Sequence, residues 1–323
     1  MNGPEFMTHL PIEKNLDPHI RLRKWFYRIT FWALALSLLM ALLRKTDWHA
    51  TLSILLGMPV QVIVFCAAGW YASFLFRALR FQTEWQYSGR IAFFDALKVT
   101  FIHNAAVVLV PFRVGEFGYP MLVRRLLPVT WQQCIRSLLW LRLQDGTVLL
   151  SISFLLVPIG DNYIKLGALA FAALLIALTR QHWLKLLRSR HFMVQQMRAF
   201  LHQRSDWRGW VLSVANWLVK LCVVSVMLQQ FMNVTQIQAV RGALTGELSA
   251  LLPLTGPAGL GTYELGVWSG LGLSWSEMQL LVSSVLFTHL FFLALSLGGA
   301  LIAYAFNDSL FVVNTSREVH GHG

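Results

Sequence analysis

Charge is scarce in this chain, and negative charge is scarcest. Charged residues make up 13% of 323, with 15 Asp and Glu against 27 Lys and Arg. A soluble domain carries roughly 25% charged residues, so a soluble enzyme or an acidic binding module is excluded at the outset. Cysteine is almost absent too. Cys66, Cys134 and Cys222 lie far apart, and no Cys-x-x-Cys or Cys/His spacing accompanies them. That excludes a disulfide framework and a zinc site. There is no Gly-x-Ser-x-Gly, no His-Glu-x-x-His and no acidic metal cluster. The chain is therefore expected not to be an enzyme, and to need neither metal nor cofactor.

What is abundant is apolar. Hydrophobic residues form 56% of the chain and the mean hydropathy is +0.55. The net charge of +12 admits nucleic acid as a partner, but the Lys and Arg sit in short segments between apolar runs. That is the pattern of cytoplasmic loops in a membrane protein. The expected partner is the bilayer, and no nucleic acid.

A helical span needs about 20 mostly apolar residues. Six segments qualify: Trp25–Leu43, about Thr51–Phe76, Leu138–Pro158, Ile164–Thr179, Val211–Phe231 and Met278 to about Phe306. Met1 to Phe6 read as an expression-vector remnant, with Met7 the expected native start. The remainder, 7–323, reads as a single transmembrane domain.

Two further apolar segments are interrupted. Ile91 to about Leu127 breaks at Pro111-Phe112-Arg113-Val114-Gly115-Glu116, and about Val240 to Leu273 breaks between Pro253 and Gly261. Proline lacks an N–H and glycine is a poor helix former, so helices end there. Broken backbone at membrane depth survives only against protein or a wet cavity. Two re-entrant hairpins are expected.

Basic residues set the orientation. Arg21, Arg23, Lys24 and Arg28 lie at the first span; Arg77, Arg80 and Arg90 follow the second. The segment of about 180–210 is strongly basic, with Trp183, Leu186, Phe192 and Phe200 on its apolar side, and reads as an amphipathic surface helix. The positive-inside rule puts this segment and both termini in the cytoplasm of a bacterial inner membrane. The count then gives span, hairpin, span twice over, at about 48–160 and about 211–306, with the second copy upside down. Inverted repeats around a midplane site are a transporter plan. Pro111 and Gly115 are four apart, as are Pro257 and Gly261.

Ionisable groups inside membrane segments are costly and face cavities or partners. Arg113 and Glu116 sit at the first break: an anion site and its orienting acid, or an internal pair closing the hairpin. Asn104 and His103 precede them. Arg124 and Arg125 lie near the cytoplasmic edge, where they draw in anionic heads or act as anchors. Arg142 and Asp145, three apart on one helix, form a local structural pair. Lys220 is deep in its span and needs a carboxylate or phosphate. Pro257, Gly259 and Gly261 free backbone N–H groups at a helix start, which favours anions. Glu264 follows one turn on, and Glu247 precedes the break.

Asn104, then Pro111 to Glu116, Arg142-Leu143-Gln144-Asp145, and Pro257-Ala258-Gly259-Leu260-Gly261-Thr262-Tyr263-Glu264 together resemble the flippase-like membrane domain of lysylphosphatidylglycerol synthases. Its stand-alone relatives include uncharacterised inner-membrane proteins and a hopanoid-associated branch. The resemblance covers roughly Leu34 to Phe306. It implies an all-α polytopic protein that moves lipids between leaflets, with an anionic membrane lipid as partner. A homo-oligomer or a lipid-biosynthesis enzyme is the further partner that such a role allows. The family often has Glu before the arginine where Leu141 stands here, so roles do not transfer to the Arg142–Asp145 pair. The synthases' soluble aminoacyl-transfer domain is missing, and lipid aminoacylation is not implied. The rival readings are a membrane enzyme acting on lipid headgroups and a non-catalytic assembly partner.

Overall fold

The structure is a computed structural model and describes residues 48–156, 163–170, 207–252 and 257–305. These residues are helices and short connections, with no strand among them. The elements are α1 (Trp48–Gly57), α2 (Val60–Trp85), α3 (Phe93–Leu109), a 3₁₀ turn (Pro111–Phe117), α4 (Gly118–Leu126) and α5 (Trp131–Leu156). Then come α6 (163–170), α7 (Trp207–Phe231), α8 (Gln236–Ala250), a second 3₁₀ turn (Pro257–Gly259), α9 (Thr262–Leu271) and α10 (Trp275–Ala305).

Four of these helices are long and apolar enough to cross a membrane: α2, α5, α7 and the Ser283–Ala305 stretch of α10. Their outward faces carry large exposed apolar side chains such as Val64, Leu75, Leu150, Leu218 and Leu301. In water such a surface would be a liability; in a bilayer it is the lipid face. The chain is an all-α membrane protein. The expected span Trp25–Leu43, the 180–206 part of the amphipathic segment and all of Ile164–Thr179 beyond 170 lie outside the described residues.

The span expected at Thr51–Phe76 is two helices. α1 stops at Gly57, and Pro59 sits as the residue before α2 with φ −57°. Proline cannot donate to the preceding turn and clashes with it, so the helix restarts at Val60 and runs on to Trp85. At the far end, α10 opens with Ser274 and Glu277 capping one another, and the Ser274 hydroxyl and N–H hold the Glu277 carboxyl below its ordinary pKa.

Packing has a two-fold pattern. α2 lies along α7. α3 packs on α2 and α10, while α8 packs on α7 and α5. α4 meets α5 and α9 meets α10. Exchanging α2–α5 for α7–α10 turns α2–α7 into itself and each of the other pairings into another of the set.

Both interrupted segments form hairpins. In the first, α3 ends at Leu109, the Pro111–Phe117 turn reverses the chain, and α4 returns. Gly115 presses on α3 so closely that a Cβ there would collide with the Ala106 carbonyl. In the second, α8 and α9 meet through Gly242 and Gly246 on one helix and Gly266 and Gly270 on the other. A Cβ at Gly270 would strike Thr245 Oγ1 and the Arg241 carbonyl. Small residues spaced by four are the usual way helix backbones close up in lipid.

Candidate functional site

The two 3₁₀ turns touch, and α3 also contacts the second of them. Beside them a cavity of about 210 Å³ opens between the helices. Its wall carries Arg77 and Arg80 from α2, His103 and Asn104 from α3, and Arg113 from the first turn. Arg142 and Asp145 come from α5, Trp217 and Lys220 from α7, and Glu247 from α8; Ala258 and Gly259 come from the second turn. Nearly every helix thus contributes a polar group to one interior space.

Arg113 is in the left-handed region, at φ 55°. Non-glycine residues rarely adopt this conformation, at a strain of order 1–3 kcal/mol. The side chain explains why it persists. Arg113 Nη1 donates to the Ala250 carbonyl at 3.2 Å and the Leu251 carbonyl at 2.7 Å, while Nη2 donates to Glu116 Oε1 at 2.6 Å. Carbonyls at the end of a helix lack an intrahelical donor and favour a cation. The first hairpin therefore caps the second. Ala258 and Gly259 in the second turn are also left-handed, at φ 56° and 76°. Counted from the prolines, Arg113 occupies the position that Gly259 occupies in the other hairpin.

Glu116 is shared. Its Oε2 accepts from Arg142 Nη2 at 2.7 Å, and His103 Nε2 lies 3.2 Å away without forming a hydrogen bond. Asp145 is the second hub and is fully buried. It takes a forked pair from Arg80 at 2.6 and 3.1 Å, Trp217 Nε1 at 2.9 Å and the Ser213 hydroxyl at 3.2 Å. The expected Arg142–Asp145 pair is present at 3.5 Å, but the shorter contact of each residue runs to another helix. Carboxylates this well supplied with donors tie several helices together.

Lys220 Nζ donates to Glu247 Oε2 at 2.7 Å and lies over the rings of Trp70 and Trp217, 4.9 and 5.1 Å from their centres. This is a deep lysine with its carboxylate partner, in an aromatic sleeve. Glu264 does not face the arginines. Its Oε2 accepts the Gly261 N–H at 2.6 Å, capping α9, and its Oε1 lies 2.6 Å from His289 Nδ1. The Gly261 N–H, an expected anion donor, is thus engaged by the protein's own carboxylate. Gly259 lines the cavity, and Pro257 begins the second turn. Asn104 Oδ1 accepts from Arg77 Nη1 at 3.4 Å. Arg124 and Arg125 are exposed at the end of α4; Arg124 donates to the Val129 carbonyl and stacks 4.7 Å over Trp131.

Sequence reasoning missed Arg77 and Arg80 as site residues and placed them in a basic loop after the second span. The structure corrects this: both are helical, inside α2, and face the cavity. No Pro or Gly stands between Arg77 and Trp85. That absence of a breaker was the available signal that the helix continues. Asn216 and His289 were also missed, being ordinary polar residues inside long apolar runs.

The model of a protein family described as the lysylphosphatidylglycerol synthase TM region matches residues 26–299. A search of curated proteins returned no match.

Proposed function

The chain belongs to the lysylphosphatidylglycerol synthase transmembrane-region family, and from that premise we propose that it is a lipid translocator for an anionic lipid. The observation that carries the reading is the meeting of the two helix interruptions beside a cavity bearing five cationic side chains. The headgroup enters this polar space while the acyl or prenyl tails stay against the apolar outer faces of the spans. Swapping a lipid head across a bilayer requires a desolvated anion to meet donors at depth, and buried arginines supply them. The two-fold exchange pattern of helix packing supports an inverted-repeat machine in which either side can open. The carboxylates Glu116, Asp145 and Glu247 are each held by cations, which favours binding over acid–base chemistry. The proposed setting is a bacterial inner membrane with both termini cytoplasmic, which the basic N-terminal and 180–210 segments support.

Purified protein reconstituted into vesicles should speed transfer of fluorescent phosphatidylglycerol, phosphatidate or polyprenyl phosphate to the outer leaflet, with lipid mass unchanged. Rates equal to those of protein-free vesicles for all three lipids would remove the transport reading. Chemical conversion of the lipid would replace it with an enzymatic one.

A further inference from the structure

Resting on that reading, we infer that Arg77 is the headgroup ligand and that the lipid it takes is a phosphate monoester. Five cations line the cavity: Arg77, Arg80, Arg113, Arg142 and Lys220. Three carboxylates serve them. Arg80, Arg113 and Arg142 share Glu116 and Asp145, and Lys220 has Glu247 to itself. Among the described residues Arg77 has no carboxylate within ion-pair distance. Glu264 is engaged by His289 and the Gly261 N–H instead. Two positive charges are left over, one within the shared arginine network and one on Arg77.

Arg77 is held like a ligand rather than a brace. Its Nε donates to Asn216 Oδ1 at 3.1 Å and its Nη1 to Asn104 Oδ1 at 3.4 Å. Its guanidinium carbon lies 5.7 Å from the ring centre of Phe74 and 5.8 Å from that of Trp217. Neutral amides and aromatic faces orient the fork without neutralising it. Its Nη2 makes no hydrogen bond among the described residues. On the cavity wall Arg142 Nε and His103 Nε2 also lack hydrogen-bond partners, and behind Arg77 so does Nδ2 of its amide partner Asn216. Buried donors without partners are rare in a folded protein and mark a site completed by something else. Two uncompensated charges, with the unengaged Arg77 Nη2 and Arg142 Nε on the cavity wall, match a phosphate monoester, which carries a charge of about −1.5 to −2 and three acceptor oxygens. A phosphodiester offers two free oxygens and a single charge.

The test is equilibrium binding to the purified full chain in detergent, read by tryptophan fluorescence, since Trp217 lies against Arg77. The probes are dioctanoyl phosphatidate, dioctanoyl phosphatidylglycerol and inorganic phosphate. Phosphatidate should bind roughly tenfold tighter than phosphatidylglycerol, with inorganic phosphate weaker than both. Losing one charge-assisted contact should make Arg77→Gln bind phosphatidate roughly tenfold to a hundredfold more weakly. Arg77→Lys, which keeps the charge but not the planar fork, should lose about tenfold, and it decides the matter if the Gln variant does not fold. Arg90→Gln, exposed beyond the end of α2, should bind as the unmodified chain does. Unchanged affinity in both Arg77 variants overturns the assignment of the ligand. Equal affinity for the two lipids overturns the monoester. Inorganic phosphate binding as tightly as phosphatidate makes the site one for a soluble anion. If the binding results hold and no lipid moves in vesicles, the transport reading fails and this one stands.

Discussion

The two hairpins share a shape and differ at their turns. Both are closed by glycine contacts: Gly115 presses on α3 in the first, and glycines on α8 and α9 bring those helices together in the second. Both are also tied by charge to neighbouring helices: Glu116 of the first binds Arg142 of α5, while Glu247 and Glu264 of the second meet Lys220 of α7 and His289 of α10. They part company at the turns. The first turn sends a charged side chain outward, Arg113, which grips the end of α8; the second turn is followed by Glu264, which caps its own helix at Gly261. The asymmetry is that the first hairpin holds the second through a side chain.

The sharpest way to break this comparison is to neutralise the two glutamates in turn. Glu116→Gln takes the nearest carboxylate from two part-buried guanidinium groups, of which Arg142 keeps Asp145, and should cost about 2–3 kcal/mol. Glu264→Gln keeps an acceptor for the helix cap and a polar atom toward His289, and should cost about 1 kcal/mol. Thermal unfolding of the two purified variants compares them directly; equal losses would erase the distinction. Glycine substitutions should separate tight helix contacts from loose ones. Gly270→Ala forces α8 and α9 apart and should cost about 1–3 kcal/mol. Gly118→Ala in the first hairpin meets only the Ala106 side chain at an ordinary 3.5 Å and should stay within about 0.5 kcal/mol of the parent in the same assay. The smallest effect concerns backbone strain. Arg113→Gly and Arg113→Ala lose the same contacts, but glycine accepts the left-handed conformation, so it should be the more stable variant by about 1 kcal/mol. No difference between them would mean that the turn relaxes once the side chain is gone.

Much of this was legible in the residues. The run of apolar segments and the dearth of acids announced a membrane protein, and Pro111 and Pro257 marked where the hairpins turn. Arg113 and Glu116 stood out as costly charges at one of those marks. What the pattern could not give was partnership. Arg142 and Asp145 looked self-sufficient three apart, but their shorter contacts reach Glu116 and Arg80 across the fold. Such choices follow from helix packing, which leaves no periodic trace. Arg77 and Arg80 were read as loop residues because a positive charge after an apolar run ordinarily marks the membrane edge; here the helix carries both into the interior. Pro59 had the opposite effect, splitting a run that hydropathy alone treats as continuous.

The grip of Arg113 on the Ala250 and Leu251 carbonyls bears on how such a machine can move. One guanidinium stitches the midpoints of the hairpins together. In the proposed translocator, opening toward either leaflet would then have to break that stitch or occur at the outer margins, where α4 meets α5 and α9 meets α10.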